Sequence, residues 1–151
     1  MTKISSVRKD TRLESEGAEF LVLGHLLIEG VTCFKSYTNL PGYDLIAVDA
    51  ETKKSARIQV KSRWATDYDG KFPIKNFDSD FVVHVALNRG YRVAKSGGET
   101  GIRYPEFWVL PTKSVKSVLE ESGGWSKAKI RNIPKIENYR NAWHLISKFI
   151  G

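Results

Sequence analysis

The sequence predicts an α/β fold, a mixed central sheet of about five strands flanked by helices, in the order helix, five strands, helix, helix. Three observations predict it. Apolar residues after Thr11 recur at helical spacing, Tyr43 to Arg63 alternates like a hairpin, and Phe81 to Leu87 is a nearly continuous apolar run suited to a buried strand.

Thr11 and Glu14 have the spacing of a capping box, and the helix they open ends near Gly30. Phe20, Val22, Leu23, Leu26 and Leu27 fall on one side of it, with Glu19 in the middle of that side and Glu16 near it. Val31 to Tyr37 reads as a strand and Asn39-Leu40-Pro41-Gly42 as a turn. A second strand, Tyr43 to Val48, passes through the polar run Asp49 to Lys54 into a third, about Ala56 to Arg63, and the two form a hairpin. Trp64 to Asp78 is polar, contains Gly and Pro, and is expected to be a loop. The fourth strand is Phe81 to Leu87 and the fifth Glu106 to Leu110. Between them the basic stretch Arg89 to Tyr104 reads as a disordered hairpin tip, slightly preferred over a clamp on a DNA backbone. Val115, Val118 and Leu119 predict a helix over Thr112 to Ser122, stopped by Gly123-Gly124, and a last helix fits Ile136 to Phe149.

With 151 residues, 41% of them hydrophobic, the chain is expected to be one domain, with a core motif over 15–63 and a basic, helical part over 112–151. The single cysteine, Cys33, can form no internal disulfide and reads as a small buried residue, which favours a reducing compartment. No stretch approaches the roughly 20 apolar residues of a bilayer span. A cytoplasmic protein is expected, nucleoid-associated in a prokaryotic cell. The net charge of +7 and pI near 9.5 favour a polyanionic partner. Lys127, Lys129, Arg131, Lys135, Arg140 and Lys148 crowd the end of the chain against one acid, Glu137. A solvated basic face explains this as well as a phosphate-tracking surface does.

Chemistry concentrates at Asp44, Gln59 and Lys61. Alternation along the third strand puts Gln59 and Lys61 on one face. A turn centred on Thr52-Lys53 would set position 44 across from about 61 and position 46 from about 59, with opposed Cβ atoms roughly 5 Å apart. Glu19 can be brought over the same spot from the helix. A carboxylate on an apolar helix face needs a cation or donor, and a bound metal would supply one. Oxygen ligands from Glu19, Asp44 and Gln59 suit Mg²⁺, with Mn²⁺ a possible substitute, and Lys61 would stabilise charge on a phosphate or help deprotonate a nucleophile. Singly, Asp44 is also an ordinary turn residue and Gln59-Val60-Lys61 an ordinary solvent-facing strand.

The stretches Gly17-Ala18-Glu19, Gly42-Tyr43-Asp44-Leu45-Ile46-Ala47-Val48 and Arg57-Ile58-Gln59-Val60-Lys61-Ser62 together resemble the PD-(D/E)XK, or restriction-endonuclease-like, superfamily. In order and spacing they are similar to archaeal-type Holliday junction resolvases and small homing endonucleases of that fold. The resemblance covers about a third of the chain, residues 15 to 63. Tyr43 stands where the pattern has Pro, and Gln59 where it has a second acid, as in some superfamily members. It implies a Mg²⁺-dependent endonuclease acting on DNA, with Glu19, Asp44, Gln59 and Lys61 catalytic and the first three holding the metal. The alternative is a non-catalytic DNA-binding or assembly subunit that keeps the fold, suggested by the uncharged Gln59.

Arg63 shares the face of Lys61 and could contact a phosphate, as could Lys127, Lys129 and Arg131. His25, His84 and His144 lack ligand spacing and are expected at surface or core positions. Gly97-Gly98 lacks the Lys-Ser/Thr of a phosphate loop, so no nucleotide cofactor is expected. Cutting both strands of a duplex with one small site suggests a homodimer or higher homo-oligomer.

Overall fold

The computed structural model describes residues 11–36, 42–122 and 125–151. Tyr37, the turn expected at Asn39-Leu40-Pro41 and the stop at Gly123-Gly124 lie outside them. In chain order come α1 (Thr11–Ile28), β1 (Thr32–Lys35), β2 (Leu45–Val48), β3 (Ser55–Arg63), β4 (Lys71–Pro73), β5 (Phe81–Ala86) and β6 (Glu106–Pro111). They are followed by α2 (Thr112–Lys116), β7 (Leu119–Ser122), β8 (Trp125–Lys129), two 3₁₀ turns (Ile130–Asn132 and Ile136–Tyr139) and α3 (His144–Ile150).

Helix α1 buries Ala18, Val22 and Leu26 completely, a stripe four residues apart, with Leu23 packed at its edge. The buried side is therefore narrower than the sequence predicts. Phe20 and Leu27 are about half exposed, and Glu19 sits on the flank of the stripe. The small Ala18 side chain centres the seam on its own row of residues. At the end of α1, Gly30 takes φ +82°, and the Val31 amide reaches back to the Leu26 carbonyl at 2.8 Å. That left-handed turn needs a glycine, and it delivers Val31 and Leu26 into the same core.

The central sheet has the order β1-β2-β3-β5-β6 and is mixed as the sequence predicts: β3 and β5 run parallel, the other pairs antiparallel. Along β3, Ala56, Ile58 and Val60 face α1 and α3, and join Leu45, Val83 and Ile146 in one core. A second core, around Phe72, Val82, Trp108, Leu110 and Val115, fills the other face.

That other face is covered by a structure the sequence reading missed. Strands β4, β8 and β7 form a separate antiparallel sheet in that spatial order. The loop expected over Trp64 to Asp78 thus contains β4. The helix expected over Thr112 to Ser122 stops at Lys116, because Leu119–Ser122 pairs with Trp125–Lys129 instead. The last helix is also shorter than Ile136 to Phe149. Arg140 bridges to Trp108 and the Asn141 amide donates to the Phe107 carbonyl at 3.0 Å, which pulls the chain out of helical geometry until His144. The part over 112–151 is accordingly as much strand and turn as helix. The stretch Arg89 to Tyr104 is tied back at several points: the Thr66 hydroxyl donates to the Gly101 carbonyl at 2.7 Å, and the Arg92 amide and guanidinium both donate to Asp67 Oδ1.

Candidate active site

The β2–β3 hairpin sets the site. Its register pairs Leu45 with Ile58 and Val48 with Ser55, which brings Asp44, just before β2, level with the Ile58 to Val60 stretch of β3. This is two residues away from the predicted register, which opposed Asp44 to Lys61. The reason lies in the turn. Asp49 Oδ1 accepts the amides of Glu51 and Thr52 at 2.8 and 3.1 Å, and Lys53 takes the left-handed φ of 63°, so the reversal centres one residue earlier. A slip of two preserves the alternation, and Asp44 still shares a face with Gln59 and Lys61.

Asp44 is held by backbone. Its amide donates to the Ile58 carbonyl at 2.8 Å and its Oδ2 accepts the Val60 amide at 2.8 Å, which fastens the carboxylate to the backbone of β3. Burial pushes the Asp44 carboxyl above its ordinary pKa; the Val60 hydrogen bond and the charges of Lys61 and Lys35 offset this only in part. Lys61 is the complement. Burial lowers its pKa, Asp44 opposes that, and Arg63 adds to the lowering. Glu19, on α1, is raised by burial first and by the charge of Asp44 second, which places it within electrostatic reach of the hairpin. Gln59 completes the group: its Oε1 is buried and has no hydrogen-bond partner.

The cation expected for Glu19 is present within the chain. Lys35, at the end of β1, places Nζ 3.3 Å from Glu19 Oε1 and 2.7 Å from Glu16 Oε1. Sequence reasoning passed over it, although Val31, Cys33 and Lys35 alternate onto one side and the first two are core. Among the described residues no three His, Cys, Asp or Glu side chains gather as a metal-binding group. The donor set available is two carboxylates and the Gln59 amide. An orphaned, buried amide oxygen, on the strand whose Val60 amide holds the Asp44 carboxylate, fits a hard divalent cation, which takes oxygen ligands and keeps several waters.

Beyond Lys61 the same face turns basic. Arg63 donates its Nε to the Lys71 carbonyl at 2.8 Å and stacks its guanidinium on Tyr68, whose ring also meets Arg92. A cleft lined by Arg63, Tyr68, Asp69, Lys71, Arg92 and Lys127 results. Lys129 and Arg131 stand beside it, pairing with the Asp69 carboxylate at 3.9 Å and the Asp69 carbonyl at 3.3 Å. The structure thus gathers Arg63, Lys127, Lys129 and Arg131, and adds Lys71 and Arg92. His84 is buried between Phe72 and Trp108, with its pKa pushed down to about 3 by burial, and is a neutral core residue. His25 stacks on the buried Trp143.

No protein-family model matches this sequence, and no curated protein matches it either. Solved structures do. The chain superimposes on the bacterial homing endonuclease I-Ssp6803I with a TM-score of 0.59 and 24% sequence identity, over 93% of both chains. It has a restriction-endonuclease-like fold. A more distant likeness, with a TM-score of 0.49 and 14% identity over 80% of this chain and 88% of the other, is to Archaeoglobus fulgidus Hjc, a Holliday junction resolvase from an archaeal hyperthermophile. The restriction-endonuclease-like fold accounts for the mixed sheet and its helices; what the site does rests on its own side chains.

Proposed function

We propose that the chain is a metal-dependent endonuclease that hydrolyses phosphodiester bonds in DNA, with Mg²⁺ as cofactor and Mn²⁺ as a substitute. The observation that carries this reading is the partnerless, buried Oε1 of Gln59, one residue before the Val60 amide that holds the Asp44 carboxylate in place. Two such groups are costly to a fold that gains nothing from them. Glu19, Asp44 and Gln59 would hold the ion, which supplies Lewis-acid charge and an acidified water. Lys61, whose ammonium is destabilised by burial, can stabilise negative charge gathering on the phosphate or accept a proton at Nζ. Arg63, Lys71, Arg92 and Lys127 would track the DNA backbone leading away from the cut, with Lys129 and Arg131 alongside. Cutting a duplex then calls for two copies related by symmetry, acting in the cytoplasm or nucleoid.

A second reading has an observation of its own. Lys35 already gives Glu19 a counter-ion, so the fold holds this carboxylate without a metal, as a non-catalytic DNA-binding or assembly subunit would require. Incubation with supercoiled and branched DNA in Mg²⁺, Mn²⁺ or EDTA separates the two. The endonuclease reading expects cleavage that EDTA stops and an Asp44→Ala/Lys61→Ala variant lacks. Metal-independent, salt-sensitive binding without cleavage would establish the second.

A further inference from the structure

Lys35 belongs to none of the positions that the endonuclease reading uses, yet its side chain is only 6% exposed. Its ammonium is shared between Glu16 and Glu19 and lies 5.4 Å from the centre of the Phe20 ring. Its charge also reaches Asp44. The next residue fastens this arrangement to the hairpin: the Ser36 amide donates to the Asp44 carbonyl at 2.8 Å. A positive charge therefore sits on the Glu16–Glu19 pair, within electrostatic reach of Asp44. In nucleases that use two metal ions, a second divalent cation adds positive charge to the site.

We propose that Lys35 is a resident cation standing in for a second divalent ion, so that each chain takes a single metal ion, at Asp44, Gln59 and the free oxygen of Glu19. This rests on the metal-dependent reading above. Lys35 occupies Glu19 Oε1 and Glu16 Oε1, leaving Glu19 only its second oxygen to offer, and its charge repels another cation from the Glu16–Glu19 pair. The same ion pair holds the Glu16 and Glu19 side chains in place without a metal, so this edge of the site is assembled before an ion arrives. With Gln59 in place of an acid, the site also carries one negative charge fewer to attract a second ion.

Mn²⁺ titration followed by electron paramagnetic resonance tests this on the full chain without DNA. The wild type should bind one Mn²⁺ per chain with an uncoupled six-line spectrum, and Lys35→Arg should do the same. Lys35→Met should bind two, and adding Glu16→Gln to it should return the count to one. Two ions bound by the wild type would overturn the proposal, as would a single ion in a Lys35→Met variant whose circular dichroism and melting show it folded. If Lys35→Met does not fold, the wild-type spectrum decides: an uncoupled ion supports the proposal and an exchange-coupled pair refutes it. A wild type that binds no Mn²⁺ refutes the metal-dependent reading itself, whereas one ion in both wild type and folded Lys35→Met refutes only the role of Lys35.

Discussion

The two sides of β3 are built from the same nine residues to opposite ends. Toward α1 and α3, Ala56 and Ile58 pack into an apolar core, with Val60 against its edge. On the other side, Gln59 has a buried oxygen without a partner, Lys61 an ammonium that burial destabilises, and the facing Asp44 a carboxylate raised by burial. One side is optimised for folding. The other carries groups whose cost the first side offsets, and such local inconsistency marks a place shaped by binding or chemistry.

The comparison breaks most sharply at activity. Lys61→Met should lower the rate of DNA cleavage by about 100-fold to 1,000-fold, the range found for removal of a single transition-state-stabilising group, while the folded structure persists. Cleavage assays paired with circular dichroism check this. On the opposite side, Ile58→Ala should cost about 2–5 kcal/mol of stability through the cavity it leaves, measurable as a lower denaturant midpoint with an unchanged slope.

Smaller effects sharpen the contrast. Asp44→Asn should raise stability at neutral pH by about 0.5–2 kcal/mol, as relief of a strained functional group commonly does. The pH dependence has a definite sign. Because folding raises the Asp44 pKa, the native state favours its neutral form; that contribution is full below the ordinary value of 3.8 and is lost as pH rises through the raised one. The stability gain of Asp44→Asn over the wild type should therefore be near zero in acid and grow toward neutrality, as melting curves across that range would show. Lys127→Ala, at the rim of the basic cleft, should leave stability unchanged and reduce the salt-dependence slope of DNA binding by about 1.

Local patterns carried the first third of the chain: the Gly30 stop, the alternation of β3 and the shared face of Asp44, Gln59 and Lys61 follow from spacing alone. Register did not. It depended on how Asp49 folds its side chain into the turn and on a left-handed Lys53, which periodicity does not report. The second sheet was hidden because Val115, Val118 and Leu119 have helical spacing, and only the pairing of Glu120 with Lys127 and Leu119 with Ala128 makes the segment a strand. Lys35 was readable, as the third inward position after Val31 and Cys33. The partnerless oxygen of Gln59 was not, since only the packed structure shows what an amide lacks.

The most direct measurement is a crystal of the chain soaked in Mn²⁺, examined for anomalous scattering. The account predicts one peak within bonding distance of carboxylate oxygens of Asp44 and Glu19 and of Gln59 Oε1. A site that stays free of metal at saturating Mn²⁺, with the Gln59 amide turned to a protein partner, would contradict it.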